Sequence, residues 1–260
     1  MVGVQPPGDE HRGKIAALVP ASPPPDPQQG VFETLLVAGG RPVELEAHLA
    51  RLAASLRELF DTAFGAEAHE LVGAEAAGLR LGRLRLDAKP RNGGIELAAR
   101  RVEIDPAAVF PERAAALRSL LVAGGLGSHK WADRALLERA EAEMPDGAAA
   151  LLLDADGSVL EASRASVFAV RKGILVTPPL DGRILPGVAR AMLIEVAGFA
   201  GLEVREESLT AADLIAAEEV FLTGSVRGVE PAASLDGAAL QSPGRLMRLV
   251  AEGLRDRWRI

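Results

Sequence analysis

The chain has 260 residues, is 48% hydrophobic and 25% charged, and carries a formal charge of -7, the make-up of a folded protein with room for one large or two small cores. The absence of cysteine excludes disulfides, thiol catalysis and zinc-thiolate sites, four scattered histidines show no metal-ligand spacing, and the acidic balance opposes a protein that coats nucleic acid. Tyrosine is also absent and lysine stands only at 14, 89, 130 and 172, so a mechanism built on an amine has four candidates and one built on a phenol has none.

Residues 1–30 read as a flexible proline-rich arm: Lys14 precedes an apolar run too short for a signal-peptide core, and PASPPPDPQQ favours an extended, unpaired backbone. No apolar stretch reaches membrane-spanning length, which makes a cytoplasmic protein the expectation. Residues 31–122 read as a small α/β domain. A strand over 32–37 turns at Gly39-Gly40 into a return strand over 42–45. A helix over 46–60 follows, with Leu45, Leu49, Leu52, Leu56 and Leu59 on one stripe and Arg51 off it. A second helix over 67–78, strands over 79–86 and 94–104, and a strand over 117–122 complete this half.

The glycine-rich run AGGLGSHK, 123–130, reads as an interdomain linker, and 131–260 as a larger α/β domain. That domain opens with a helix over 131–144. Strands over 148–153, 159–160, 166–170 and 174–177, a helix over 188–199, a strand over 220–223 and a closing helix over 243–258 follow. The fold class is therefore α+β, in two α/β domains.

Four features bear on chemistry. Lys130 stands at the exit of the glycine-rich run, at the expected helix start; alone it is an ordinary surface lysine. Glu161 lies in LEASRASVF, between strands. In DGRILPGVAR, 181–190, Gly187 and Val188 open a helix after Pro186, where unpaired amides can meet an anion. In FLTGSVRGVEP, 221–231, a strand ends in Thr223, Gly224 and Ser225, which can present amides and hydroxyls.

Taken in order with FET at 32–34, HLARL at 48–52, TPPLDGRILPGVAR at 177–190 and EVFLTGSVRGVEP at 219–231, these features resemble the fold-type IV pyridoxal phosphate enzymes. That group includes branched-chain and D-amino acid aminotransferases and 4-amino-4-deoxychorismate lyases. The resemblance runs from residue 30 to about 235. It implies a D-amino acid aminotransferase-like fold, pyridoxal 5'-phosphate at the domain interface, a small-molecule substrate and a homodimer. Position by position, it makes Lys130 the lysine that anchors the cofactor and moves the substrate proton, and Glu161 the partner of the pyridine nitrogen. It also makes Arg51, Gly187, Val188, Ala189, Gly224 and Ser225 the phosphate ligands, and Leu185 the residue packed on the ring. No metal is implied.

The chain departs from the family pattern in three places. Ala189 stands where a threonine is usual, Ser166 where an asparagine is usual, and no tyrosine is present to meet the cofactor's phenolic oxygen. The missing tyrosine tells against the aminotransferases, while KWADR at 130–134 and SVRGVEP at 225–231 resemble the lyase branch. The expected reaction is elimination of pyruvate to give 4-aminobenzoate, a folate precursor, with Arg134, Arg183 and Arg227 as candidate partners of the substrate carboxylates. The alternative is a branched-chain or D-amino acid aminotransferase of the same fold. A third reading, a pseudoenzyme or binding module without cofactor, is opposed by Lys130 and Glu161, which folding alone does not require.

Overall fold

In a computed structural model of the protein, residues 24–145, 147–241 and 243–260 are described, and most of the expected arm falls outside them. Its last residues are docked. The Asp26 carboxylate accepts from Gln28 N at 2.9 Å, capping a short 3-10 turn at Pro27–Gln29, and Asp26 N donates to Asp133 Oδ2 at 3.0 Å.

The first sheet has the order β2-β1-β3-β4, from β1 (Val31–Ala38), β2 (Arg41–Pro42), β3 (Leu81–Arg91) and β4 (Gly94–Glu103). All of its pairings are antiparallel. A two-residue turn joins β3 to β4, and Asn92 and Gly93 take the positive φ of 51° and 81° that such a hairpin demands. Helices α1 (Leu45–Phe60) and α2 (Glu67–Ala76) cover one face. There Leu35, Leu84 and Leu86 pack on Leu49, Leu52, Leu56 and Val72. Because side chains alternate along a strand, the intervening Arg83 and Arg85 of β3 lie on the other face with Phe32 and Thr34 of β1.

Among the described residues the second sheet has nine strands: β5 (Ala115–Leu121), β6 (Ala148–Leu153), β7 (Val159–Ala162), β8 (Ser166–Arg171), β9 (Ile174–Thr177), β10 (Val204–Glu206), β11 (Glu219–Gly224), β12 (Gly228–Leu235) and β13 (Ala238–Ala239). Their order is β10-β9-β8-β11-β12-β5-β6-β7, with β13 on β12. The remaining helices are α3 (Ala135–Ala142), α4 (Val188–Phe199), α5 (Ala211–Ala216) and α6 (Arg245–Trp258). Strand β8 is buried on both faces, which is why it reads as a continuous apolar run. Phe168 and Val170 join the core under α4 and α6, where Phe168 stacks on Phe221 at 5.5 Å, and Val167 and Ala169 face a second core with Leu209 and Leu214.

Two expectations need correction. Strand β5, assigned by sequence to the first domain, pairs in parallel with β6 and β12 in the second sheet. We therefore propose that the chain changes domain within 104–114 rather than at 123–130. The helix expected from residue 131 begins only at Ala135, because residues 130–132 are drawn out along β1: Phe32 N donates to Lys130 O and Ala132 N to Gly30 O, each at 2.9 Å. Among the described residues, no helix is long and apolar enough to cross a membrane.

Candidate active site

A cavity of about 970 Å³ lies between the arginine-bearing face of the first sheet and the ends of β7, β8 and β11 in the second, a size suited to a small-molecule ligand. Lys130 enters it from a segment fixed at both ends. Trp131 Nε1 donates to Leu126 O at 2.8 Å, and the Lys130 backbone pairs with β1. Lys130 Nζ sits 4.9 Å from the centroid of the Phe32 ring. Desolvation, reinforced by the charges of Arg51 and Arg134, lowers its pKa to about 8 against the opposing pull of Glu33 and Glu161. About a tenth of the amine is thus neutral at pH 7, far more than an ordinary lysine offers a nucleophile or base.

Glu161 reaches the same cavity from β7, with Oε1 accepting from Leu185 N at 3.3 Å. Burial pushes its pKa up to about 7, although the Leu185 amide and the Lys130 charge act in the opposite direction. Among the described residues this carboxyl has no salt-bridge partner, and a cationic group set against it would restore its charge.

A polar corner open to an anion forms where α4 begins. Gly187 is the helix N-cap and has no side-chain capping bond, so the first-turn amides are left for another acceptor. Val188 and Ala189 line the cavity there, beside Gly224 and Ser225 at the end of β11. Thr223 Oγ1 is buried without a hydrogen-bond partner among the described residues. Arg51 closes the corner from α1, donating through Nη1 to Pro186 O at 2.8 Å and forking Nε and Nη2 onto Glu33 at 2.8 and 2.7 Å.

Ten of the residues singled out from sequence, together with Lys130, share this one cavity: Arg51, Arg134, Glu161, Leu185, Gly187, Val188, Ala189, Gly224, Ser225 and Arg227. Arg183 does not line it. Its guanidinium is held by Asp181 at 2.6 Å, Asp154 at 2.7 Å and Ser158 Oγ at 3.1 Å, an ion-pair tie between loops. Arg134 donates to Ser163 O at 2.7 Å, and Arg227 forks onto Glu230 at 2.7 and 2.5 Å.

Sequence reasoning missed several groups. Glu33 and His48 form a buried pair at 2.7 Å behind Arg51. Thr34, Arg83, Arg85 and Arg100 also line the cavity, as do Ser166 and Thr223, which the sequence had already singled out. The FET and HLARL motifs hold Glu33, Thr34 and His48, and the alternation LGRLRLDA placed Arg83 and Arg85 on one strand face, so the signals were present. Arg85 lies with Cζ 3.6 Å from the Phe32 centroid and pairs with Asp87, whereas Arg83 has no partner among the described residues.

The family model "Amino-transferase class IV" matches residues 30–235. The structure is similar to that of 4-amino-4-deoxychorismate lyase from Pseudomonas aeruginosa, with 31% identity, a TM-score of 0.73, and coverage of 88% of this chain and 91% of that one. It is also similar to a hypothetical aminotransferase from Mycobacterium tuberculosis solved with α-ketoglutarate and PMP, at 26% identity and a TM-score of 0.76 over 93% and 95% of the two chains. The branched-chain-amino-acid aminotransferase of Escherichia coli K12 is 38% identical over 87 residues, 34% of this chain and 28% of its own length. The chain spans well under half the length of the curated relatives it matches.

Pyridoxal 5'-phosphate fits the residues present. An amine inclined to lose its proton, a carboxyl short of a counter-ion, an uncapped helix start and an orphaned buried hydroxyl correspond in turn to its aldehyde, ring nitrogen and phosphate. With the family match covering most of its length and this cavity between its two sheets, the chain belongs to the class IV aminotransferase family, the fold-type IV enzymes that depend on pyridoxal phosphate.

Proposed function

We propose that the chain is a 4-amino-4-deoxychorismate lyase, releasing pyruvate and leaving 4-aminobenzoate. The observation that carries this reading is the guanidinium wall. Arg83, Arg85 and Arg100 line the cavity from β3 and β4, Arg134 and Arg227 from the second domain, and Arg83 is unpaired among the described residues. Such a wall offers charge-assisted bonds to a substrate with two carboxylates, first through the unpaired Arg83, and has nothing to match in an amino acid with an apolar side chain, while Arg85 and Arg100 already meet Asp87 and Arg227 meets Glu230. The 31% identity to the Pseudomonas aeruginosa lyase over most of both chains supports the same choice.

When bound, the cofactor supplies an electron-accepting ring beside the amine-bearing carbon of the substrate. Glu161 would hold the proton on the ring nitrogen, Leu185 would pack on the ring, and Arg51 with Gly187, Val188, Ala189, Gly224 and Ser225 would hold the phosphate. Lys130 would anchor the group and then, freed as a neutral amine, take the proton from the amine-bearing carbon. As that C–H bond breaks, the C–O bond to the enolpyruvyl group breaks as well, its electron pair leaving with oxygen. The substrate ring becomes aromatic, and the leaving group takes up a proton at carbon to become pyruvate. The family likeness extends the proposal to a homodimer working in the cytoplasm.

The branched-chain aminotransferases among the curated relatives favour a second reading, in which Lys130 returns the proton and a keto acid must take the amino group. The deciding experiment mixes cofactor-loaded protein with aminodeoxychorismate and no keto acid, and follows 4-aminobenzoate by fluorescence. Release that disappears in Lys130→Ala supports the lyase. No release from a protein that does transfer an amino group from leucine to α-ketoglutarate establishes the second reading.

A further inference from the structure

We propose that Ser166 and Thr223 are phosphate ligands of this cavity, their hydroxyls standing in for the one that Ala189 cannot offer; the inference rests on the reading of the α4 corner as the phosphate site. Ser166 and Thr223 are register partners on β8 and β11, and cross-strand partners place their side chains on the same face of a sheet. They are 6% and 2% exposed and both line the cavity. Ser166 Oγ lies 2.7 Å from the point where a Cβ would stand on Gly187, so the hydroxyl presses against the N-cap of α4.

Neither hydroxyl is engaged. Thr223 Oγ1 is sealed from solvent with no partner, and Ser166 makes no side-chain hydrogen bond among the described residues. A buried hydroxyl without an acceptor is a standing cost that a phosphate oxygen would remove. The uncapped first-turn amides of α4 need the same acceptor. The two departures from the family pattern are thereby linked. Ala189 turns its methyl into the core beneath α4 and provides no hydroxyl. Serine at 166 sets its hydroxyl against Gly187 and so returns a donor to the same helix start.

The test uses full-length protein stripped of cofactor, in wild-type, Ser166→Ala and Thr223→Val forms. Binding of pyridoxal 5'-phosphate, of pyridoxal and of inorganic phosphate is measured by calorimetry, alongside urea unfolding. The expectation is a loss of roughly tenfold or more in affinity for pyridoxal 5'-phosphate and inorganic phosphate in each variant, with pyridoxal binding and the urea midpoint unchanged. Unchanged phosphate affinity in both variants overturns the proposal, as does an equal loss for pyridoxal, which would make the hydroxyls structural. If wild type binds inorganic phosphate in a Ser166-dependent way but neither pyridoxal compound, the cofactor reading fails and the anion site stands. If wild type binds pyridoxal 5'-phosphate but both variants bind it equally well, the cofactor reading stands and this proposal fails.

Discussion

Glu33 holds Arg51 side-on, its two carboxylate oxygens taking Nε and Nη2 at 2.8 and 2.7 Å while Nη1 reaches across to Pro186 O at 2.8 Å. One guanidinium therefore ties β1 to the residue that precedes α4. Burial alone would raise the pKa of Glu33; the Arg51 charge and the hydrogen bonds from His48 and Arg51 outweigh it and bring the value down to about 2. Burial in turn keeps the His48 pKa below its ordinary value, so a neutral ring donates Nδ1–H to the carboxylate.

Glu33→Gln removes the counter-charge of a nearly buried arginine. Breaking such a pair from one side costs about 3–5 kcal/mol, and the freed guanidinium also loses its fixed orientation at the helix start. Urea unfolding should show the lower stability, and cofactor titration a weaker complex. A variant with a wild-type midpoint and wild-type affinity would contradict the positioning role of Glu33.

Lys130 gives a pH signature without substrate. Trapping of pyridoxal on the cofactor-free protein with borohydride should rise to half its maximum near pH 8, the lowered pKa, instead of near the ordinary 10.5. Glu161→Gln should move that half-point lower, because the Glu161 charge favours the protonated amine. Stability follows by linkage. Between pH 8 and 10.5 the unfolded chain holds the Lys130 proton that the folded chain has lost, so this group's contribution to stability rises with pH across that window. Glu161, raised from 4.5 to about 7, binds its proton in the folded state first, so its contribution falls as pH rises from 4.5 to 7.

Arg83 and Arg183 should part company under mutation. Arg83 has no partner to orphan, so Arg83→Ala should leave stability within about 0.5 kcal/mol while raising KM for a dicarboxylate substrate roughly tenfold, the loss of one charge-assisted bond. Arg183→Ala strips Asp154 and Asp181 of their shared cation, and its effect should appear in the unfolding midpoint with KM little changed. Equal KM effects in the two variants would show that the cavity does not read substrate through the first sheet.

The glycine-rich run also has a structural task. Gly125 has φ of 70°, and a Cβ there would stand 2.0 Å from Arg183 O. Gly125→Ala should force the run away from the 181–187 loop, lowering both the unfolding midpoint and cofactor affinity by displacing Lys130. A variant as stable as wild type, binding cofactor equally well, would refute that coupling.

What sequence conveyed and what it hid have separable causes. Strand β1, the hairpin-rich first half and helices α1, α4 and α6 were legible because each carries its own period or turn chemistry. Lys130, Glu161 and the α4 corner were legible through ordered motifs. Strand β12 was not, since Pro231 reads as a breaker; it is accommodated where the strand stops pairing with β11 and begins pairing with β5 at Ala232. The helix start was misplaced because 131–144 is rich in alanine, leucine and glutamate, while the partner that straightens 130–132 lies about 100 residues earlier, in β1. Arg83 and Arg85 alternate with leucines as they would on any solvated sheet, and only the approach of the second sheet turns that face into a cavity wall.

The backbone of Lys130 is a rung on the edge of the first sheet, bounded by the amides of Phe32 and Ala132. The amine of Lys130 consequently cannot drift away while that rung holds: to leave its place its backbone must unzip from β1. Those two amides should act as a built-in gauge of assembly, trading their hydrogens with solvent when the rung opens. An enzyme of this design reports its own readiness through two backbone protons, before any cofactor or substrate has been added.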